Sequence, residues 1–251
     1  MQIALQDKKD EIVFDHVTFG YSEERTILED VSLRIRTGDT FVIVGQCGYG
    51  KSTMLKLCCG LLKPQKGTIM LRNRDTGRML HDELMQMRLD MGYVFQNSAL
   101  ISNLPVSANI ALPLRYHTHY TLEKINAIVK SRIQLLQLEG YENAMPASLS
   151  MGVMKRAAVA RALALMPGLM FYDEPTSGLD PVNTSSINDI IRSFHTGFGI
   201  TSVIVTHDMK SAFTIATTIA VVAEKRVIFS GTPEELKTTD NPYIKKFFDF
   251  S

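Results

Sequence analysis

A glycine-rich loop directly after a short apolar segment constrains this chain more than any other feature. Phe41–Val44 is an apolar run typical of a buried strand, and the eight residues that follow read GQCGYGKS. The next segment, Lys51–Leu62, has the length and composition of a buried helix. In this order, loop N–H groups turn inward and the positive end of the helix points at the same place. The pattern therefore predicts a cradle for an anionic polyphosphate.

The positions of this loop have different expected tasks. Lys51 is expected to reach the β- and γ-phosphates, and the hydroxyl group of Ser52 to bind Mg²⁺. The ring of Tyr49 stands between two glycines and must project away from the cradle. Cys47 either fills space as a small residue or carries a thiol activated by the helix field. The residues predicted to contact the nucleotide here are Gly45, Gln46, Cys47, Gly48, Tyr49, Gly50, Lys51, Ser52 and Thr53.

Length and charge exclude several classes of protein. The 251 residues suit one large domain, or one domain with a sizeable insertion. A total of 27 Lys and Arg against 26 Asp and Glu lacks the basic bias of a nucleic-acid binder, so we expect no nucleic acid partner. A hydrophobic content of 45% supports a packed core and argues against disorder.

Neither a membrane span nor a secretion signal is predicted. The best candidate span, Ala157–Tyr172, is interrupted by an arginine and by a Pro-Gly pair. The N-terminus has no apolar stretch followed by a small-residue cleavage site, so we expect a cytoplasmic protein. The three cysteines, Cys47, Cys58 and Cys59, cannot all pair and lack metal-ligand spacing, which favours reduced thiols.

Apolar periodicity predicts an α/β fold with a mostly parallel central sheet, because short strands alternate with helices. Strands are predicted at Ile12–Phe19, Val31–Ile35, Phe41–Val44, Thr68–Leu71, Gly92–Phe95, Leu169–Tyr172, Ser202–Val205 and Ile219–Ala223. Helices are predicted at Lys51–Leu62, Leu122–Leu138, Val153–Met166, Ile187–Phe194 and Ser211–Thr217, and a capped helix after Thr232. From about 97 to 166 only helical patterns occur, so we interpret that segment as a helical insertion.

Polar residues follow three of the predicted buried strands. Asp173 and Glu174 follow Leu169–Tyr172, His207 follows the strand that ends near Val205, and Gln96 follows GYVF. In an α/β sheet the carboxyl ends of parallel strands carry the ligand chemistry. We expect Asp173 and Gln96 to join Ser52 at Mg²⁺, Glu174 to polarise the attacking water, and His207 to contact the γ-phosphate. The plainer alternatives are a solvated acidic turn before Pro175 and a structural histidine.

Six motifs in register resemble the nucleotide-binding subunits of ABC transporters, which are P-loop NTPases. The motifs are GQCGYGKST, VFQ, LSMGVMKRAAVARALA, LMFYDEP, SGLD and VTHD. The resemblance covers about residues 12–231. It implies an N-terminal antiparallel β subdomain, an inserted α-helical subdomain, and an ATPase that binds ATP and Mg²⁺. It also implies a homodimer with two composite ATP sites, each between one subunit's phosphate loop and the other's signature segment.

Four further residues acquire roles from this resemblance. Ser150 is a good helix N-cap, and with Gly152 it is expected to meet a γ-phosphate across the dimer interface. Asp180 resembles the residue that couples the two sites, and Tyr21 the aromatic residue that stacks on adenine. The signature departs from the usual LSGGQ at Met151 and Val153.

Within this family, the chain most resembles the ATPases of Mla/MCE phospholipid transport. The similar segments are FQNSALISNLPVSANIALPLR, MKRAAVARALAL, GTPEEL and NPYIKKFFD. This likeness implies a permease in the inner membrane, an MCE-domain protein beyond it, and a small STAS-domain regulator. Membrane contact would then run mainly through the permease, with the ATPase peripheral on the cytoplasmic face. Residues 98–110 are expected to receive the permease's coupling helix, or else to pack on their own subdomain.

The C-terminal tail carries four aromatic residues, Tyr243, Phe247, Phe248 and Phe250. They either bind a membrane surface, contact the partner subunit, or cap the core of their own chain; two lysines are few for electrostatic anchoring, and we favour contact with protein. The predicted organisation is a nucleotide-binding core at about 1–96 and 167–231, a helical subdomain at about 97–166, and an extension at about 232–251.

Three functions are compatible with these motifs. The first is an ATP-hydrolysing motor for phospholipid transport through an MCE-type complex. The second is the ATPase of another small-substrate ABC importer or exporter, and the third is an ATP-switched dimer with a signalling or structural role. A DNA-repair ATPase would need long coiled-coil arms, and the 53 residues between Gln96 and Ser150 are too few for them.

Overall fold

The computed structural model describes residues 9–22, 25–46 and 48–247, with Phe247 described by its backbone alone. Cys47, Phe248 and Phe250, which the sequence singled out, lie outside the described residues. The described strands are β1 (Asp10–Ser22), β2 (Arg25–Arg36), β3 (Thr40–Val44), β4 (Lys66–Leu71), β5 (Arg74–Asp75), β6 (Met91–Val94), β7 (Leu169–Asp173), β8 (Thr201–Thr206), β9 (Thr218–Ala223) and β10 (Arg226–Gly231).

These strands form two sheets. A four-stranded antiparallel sheet has the order β2-β1-β4-β5, and a six-stranded sheet has the order β10-β9-β3-β8-β7-β6. In the larger sheet, β9, β3, β8, β7 and β6 are parallel and β10 is antiparallel. This confirms the expected mostly parallel central sheet with an N-terminal antiparallel part.

Nine α-helices are assigned within the described residues. They are α1 (Lys51–Cys58), α2 (His81–Arg88), α3 (Val106–His117), α4 (Leu122–Leu135), α5 (Met151–Ala162), α6 (Pro181–Phe198), α7 (Met209–Ile215), α8 (Pro233–Thr238) and α9 (Pro242–Phe247). Every residue from 95 to 168 is described, and none of them belongs to a strand. The helical insertion is therefore present, with α3, α4 and α5 and a short 3₁₀ turn at Pro146–Ser148. None of the described helices has the length and apolarity needed to cross a membrane.

Strands β9, β3, β8 and β7 of the larger sheet are buried on both faces, which explains their continuous apolar runs. All five residues of β3 are buried, and its four apolar side chains alternate between two hydrophobic clusters. Phe41 and Ile43 face a cluster shared with α1 and the antiparallel sheet, whereas Val42 and Val44 face a cluster shared with the helical insertion. The carboxyl ends of the parallel strands therefore lie side by side, held by the packing on both faces of the sheet.

Helices α1 and α4 end earlier than predicted, in each case just before a residue with positive φ. α1 ends at Cys58 instead of Leu62, because Gly60 adopts φ 66° just beyond it. α4 ends at Leu135 instead of Leu138, and Gln137 follows at φ 52°. Both ends follow the left-handed termination that is common in helices.

The described part of the tail packs on its own chain. The side chain of Asn241 accepts hydrogen bonds from the backbone N–H groups of Tyr243 and Ile244, and so caps α9. Ile244 is fully buried in the cluster that contains α7 and α8. Ile244 thus contributes to the core of its own chain, and the three roles considered for Phe247, Phe248 and Phe250 stay predictions.

Candidate functional site

The phosphate loop leaves β3 and enters α1 through positions that only glycine fits. A Cβ atom on Gly45 would stand 2.4 Å from the carbonyl oxygen of Val222 on the neighbouring β9. Gly50 adopts φ 84° and a Cβ there would stand 2.7 Å from Ile27. The strand order and the glycines together hold the loop close to the carboxyl ends of the parallel strands.

Lys51 lies buried at the start of α1, with its charge held over the loop. Its Nζ donates hydrogen bonds to the carbonyl oxygens of Gly45 at 2.8 Å and Gln46 at 3.0 Å. The same atom is 4.0 Å from Glu174 Oε1. A buried amine held beside the loop attracts anionic phosphate oxygens, and its positive charge also offsets the negative charge of the nearby carboxylate.

Ser52 and Asp173 bring two oxygens together at the carboxyl ends of the parallel strands. Ser52 Oγ donates a hydrogen bond of 2.8 Å to Asp173 Oδ1. Asp173 ends β7 and is buried, so its side chain is held by strand geometry. Hydroxyl and carboxylate oxygens are the ligands that Mg²⁺ prefers.

Glu174 stands in an unusual backbone conformation directly after Asp173. Its φ of 49° lies in the left-handed region, which non-glycine residues seldom occupy. Its Oε2 lies 2.9 Å from Nδ1 of His207, at the end of the adjacent strand β8. The carboxylate of Glu174 therefore lies between His207 and Lys51.

A cavity of about 430 Å³ opens above these residues. Tyr21 stands at its rim with 60% of its surface exposed, and its hydroxyl lies 3.2 Å from Thr53 Oγ1. Phe19 supports the Tyr21 ring edge-on at 5.1 Å between ring centroids. The lining residues are Tyr21, Arg25, Ile27, Gly48, Gly50, Lys51, Ser52, Thr53, Gln96 and Glu174. The exposed ring and the loop thus border one space.

Tyr49 is not among the residues that line this cavity. Its hydroxyl group lies near that of Tyr243 on α9. Burial, and then the neighbouring Tyr49, raise the pKa of Tyr243 to about 12. The phosphate loop and the C-terminal helix are therefore close together within one chain.

The predicted signature residues lie outside the cavity of their own chain. Ser150 caps α5 by accepting a hydrogen bond of 3.5 Å from Val153 N. Gly152 packs so tightly that a Cβ atom would stand 2.2 Å from the side-chain oxygen of Asn183. Asp180 caps α6, and its pKa is lowered first by the hydrogen bond from the Asn183 side chain. None of the three is among the residues that line the cavity described above.

Residues 98–110 contain both buried and exposed positions. Ser98, Val106, Asn109 and Ile110 are buried, whereas Ala99 and residues 101–103 are exposed. The Asn109 side chain accepts from Ile101 N at 2.8 Å and donates to the carbonyl oxygens of Ile101 and Leu104. Part of this segment therefore packs on its own subdomain, and docking of the permease on its exposed part stays a prediction.

Next to this segment lies an apolar groove of about 440 Å³. Of residues 98–110, Ala99 alone is among its lining residues. The other lining residues come from α2, β6, α3, α5 and the positions just beyond them, and include Met85, Arg88, Phe95, Leu112, Tyr116, His117, Arg161 and Leu165. The groove is therefore a second open surface, next to the exposed part of residues 98–110.

Lys155 on α5 belongs to the site but was not singled out from the sequence. It is 3% exposed, and its Nζ donates to the carbonyl oxygens of Gln96 and, at 3.2 Å, of Glu174. Burial lowers its pKa, while the charges of Glu174 and Asp173 act in the opposite direction. A lysine in a helix carries no sequence signal for this role, because most such lysines are solvated.

Comparisons with known proteins agree with this geometry. A family model described as ABC transporter matches residues 28–177. The chain is 35% identical over 224 residues to the intermembrane phospholipid transport system ATP-binding protein MlaF of Haemophilus influenzae, covering 89% of this chain and 85% of that protein. For MlaF of Escherichia coli K12 the identity is 32%, with coverages of 90% and 84%.

A mycobacterial relative extends well beyond this chain. The chain is 37% identical over 232 residues to the probable ribonucleotide transport ATP-binding protein mkl of Mycobacterium leprae, covering 92% of this chain and 66% of that protein. The match therefore spans about two thirds of the mycobacterial protein.

Solved structures show the same architecture. One is a dimeric post-hydrolysis state of an ATP-binding cassette bound to ADP and Pi, with a TM-score of 0.81, 32% identity, and coverage of 88% of this chain and 98% of that one. Another is cbiO1 from Clostridium perfringens, part of the ABC transporter complex cbiONQ, with a TM-score of 0.83, 28% identity and 91% coverage of both chains. Together with the phosphate loop, the strand-end carboxylates and the matched family model, these likenesses establish that the chain belongs to the ABC transporter family and is an ATPase of that family.

Proposed function

We propose that this ATPase drives phospholipid transport through a membrane permease of the Mla/MCE kind. The observation that carries the proposal is the likeness to MlaF of two organisms over about nine tenths of the chain. The buried carboxylate of Glu174 between Lys51 and His207 supplies the hydrolytic arrangement that such a motor needs. The likeness to mkl, named for ribonucleotide transport, supports the less favoured alternative of another small-substrate ABC transporter.

In this proposal the cavity holds ATP. The exposed ring of Tyr21 stacks on adenine, and the N–H groups of Gly48 and residues 50–53 surround the phosphates. Lys51 contacts the β- and γ-phosphates from its buried position. The ATP-binding-cassette relative with bound ADP and Pi supports a nucleotide at this place.

The oxygens of Ser52 and Asp173 fit Mg²⁺, with Gln96 at the rim of the same cavity as the third candidate ligand. When bound, Mg²⁺ neutralises charge on the phosphate oxygens. The 2.8 Å contact between Ser52 and Asp173 brings two suitable donors to one point, which supports this assignment.

Glu174 serves as the base in the proposed hydrolysis. Its carboxylate accepts a proton from the attacking water, and His207 holds the carboxylate at 2.9 Å and faces the γ-phosphate. The low exposure of Glu174 excludes bulk water and strengthens the electrostatic contacts around it. Lys51 offsets the negative charge that accumulates on the transferred phosphoryl group.

We also propose that two copies complete each site. Ser150, at the N-terminus of α5, and Gly152 would meet the γ-phosphate bound by the partner subunit, and Asp180 would link the two sites. The dimeric ATP-binding-cassette structures support a homodimer. The nucleotide-binding core would comprise about 1–96 and 167–231, with the helical subdomain at about 97–166 and the extension at about 232–251.

The permease would dock in the apolar groove of about 440 Å³ between α2, α3 and α5. An amphipathic helix fits a groove lined by apolar side chains and rimmed by cations such as Arg88 and Arg161. In this arrangement the ATPase lies on the cytoplasmic face of the inner membrane and contacts it mainly through the permease. An MCE-domain protein and a small STAS-domain regulator complete the proposed assembly.

Purification from membranes tests this proposal. We expect the chain to co-purify with a permease and with phospholipid that lipid mass spectrometry identifies. Tyr116→Asp, in the groove, should release the permease, whereas Tyr141→Asp, outside it, should retain it. Co-purification with an importer permease carrying a non-lipid substrate would overturn the phospholipid assignment. An ATP-dependent dimer with no membrane partner would favour the ATP-switched structural role.

A further inference from the structure

One buried lysine joins two parts of the site that are far apart along the chain. Lys155 Nζ donates to the carbonyl oxygen of Gln96, 59 residues before it, and to that of Glu174, 19 residues after it. Because the amine is almost fully buried, it has little water to exchange with. A charged donor shared by two carbonyls makes stronger contacts than a neutral donor does.

The hydrogen bond from Lys155 to Glu174 stabilises the backbone conformation that directs the Glu174 carboxylate. With φ at 49°, the peptide of Glu174 needs tertiary contacts to stay in place. Its carbonyl oxygen accepts from Lys155 Nζ and from Ser177 N, both at 3.2 Å. Its N–H donates to Val205 O at 2.9 Å. Lys155 is therefore one of three groups that hold this strained residue.

The hydrogen bond from Lys155 to Gln96 holds one end of the Gln96–Ala99 turn, and a second residue of α5 holds the other end. Ser98 and Ala99 both have positive φ, at 63° and 46°. Arg161, six residues beyond Lys155 on α5, donates to the carbonyl oxygens of Ser98 at 3.0 Å and Ala99 at 2.6 Å. Helix α5 thus fastens the Gln96–Ala99 turn at both of its ends, and Ala99 lines the apolar groove.

We infer that Lys155 is a positioning residue for ATP hydrolysis. It fixes the position of the Glu174 carboxylate relative to the Gln96–Ala99 turn. Movement of the turn is passed through the Lys155 amine to the Glu174 peptide, and so to the distance between the carboxylate and the attacking water. This inference rests on the proposed role of Glu174 as the base. Helix α5 would then act together with the ends of β7 and β8, which carry Glu174 and His207.

Steady-state ATPase assays of the full chain test the inference. Lys155→Met keeps the length of the side chain and removes its donors. We expect kcat to fall by about 10- to 100-fold, because small displacements of a reacting group cost that much, with KM for ATP within about twofold of wild type. Lys155→Arg, which keeps a cationic donor, should restore most of the lost kcat. Lys130→Met, an exposed lysine on α4, should leave kcat unchanged.

Double variants separate positioning from general damage to the fold. In single-turnover assays, Lys155→Met added to Glu174→Gln should cause no further loss, because the group it positions is already absent. Arg161→Met, which releases the other end of the turn, should lower kcat when Lys155 is present and have little effect beside Lys155→Met.

Two results would overturn the inference. One is a wild-type kcat in Lys155→Met, and the other is a full additional loss when Lys155→Met is added to Glu174→Gln. If Glu174→Gln alone keeps wild-type turnover, the proposed base fails as well. Loss of turnover in Glu174→Gln together with normal turnover in Lys155→Met would reject the positioning role alone.

Discussion

His207 Nδ1 lies 2.9 Å from Glu174 Oε2, and this contact joins the ends of two adjacent parallel strands. The backbone N–H of His207 also lies 3.4 Å from the same oxygen. One carboxylate oxygen therefore faces both the ring and the backbone of His207, while the other faces Lys51. The ends of β7 and β8 hold these groups next to one another.

Replacement of His207 should reduce turnover more than ATP binding. His207→Ala removes the ring that holds Glu174 Oε2, so we expect kcat to fall by roughly 10²-fold while KM for ATP stays within about threefold. Steady-state ATPase kinetics measure both constants. His119→Ala, on an exposed loop, is the matched control and should behave as wild type. A wild-type kcat in His207→Ala would show that the contact is structural.

Removal of the Ser52 hydroxyl should raise the requirement for Mg²⁺. Ser52→Ala takes away one oxygen of the proposed metal site and leaves Asp173 without its hydrogen-bond donor. We expect the Mg²⁺ concentration for half-maximal ATPase activity to rise by about 10-fold or more. Ser131→Ala, on the exposed side of α4, should leave this concentration unchanged. An unchanged Mg²⁺ titration for Ser52→Ala would remove Ser52 from the metal site.

The C-terminal helix should contribute to global stability. Ile244→Ala opens a cavity beside a fully buried side chain, so the free energy of unfolding should fall by about 2–5 kcal/mol. Urea denaturation measures this change, with Lys246→Ala, at an exposed position of α9, as the control. A loss below about 0.5 kcal/mol would mean that α9 is not part of the cooperative fold.

The exposed pair of His16 and Asp30 should add a pH-dependent contribution to stability. The hydrogen bond and charge of Asp30 raise the pKa of His16 above its ordinary value of 6.5. Because the folded-state pKa is the higher one, the contribution is complete below pH 6.5 and is lost as pH rises through the folded pKa. Asp30→Asn should lower the His16 pKa measured by NMR titration. An unchanged titration would show that the contact is not formed in solution.

Much of the fold follows from local patterns in the sequence. The buried strands β3, β7 and β8 were predicted within one residue at each end, because apolar runs beside polar strand ends are distinct signals. The helix α2 and the strand β10 were not predicted. α2 has a single buried residue, Leu84, and β10 is an edge strand without a fully buried position, so neither has a clear apolar face.

In the candidate site, too, the residues in local motifs were predicted and those that depend on tertiary packing were not. Residues in contiguous motifs, such as Lys51 and Asp173, came from spacing, and the structure brings them together. The contacts of Lys155 and the closeness of Tyr49 to Tyr243 depend on tertiary packing between segments distant along the chain. No local pattern distinguishes a lysine that reaches two buried carbonyls from one that reaches solvent.

The ATPase activity of Glu174→Gln tests the central claim most directly. The substitution keeps the size of the side chain and removes the base, so we expect a loss of kcat of roughly 10²- to 10⁴-fold. ATP-induced dimerisation, measured by light scattering in the same samples, should be retained. Turnover at the wild-type rate would contradict the assignment of Glu174 as the base.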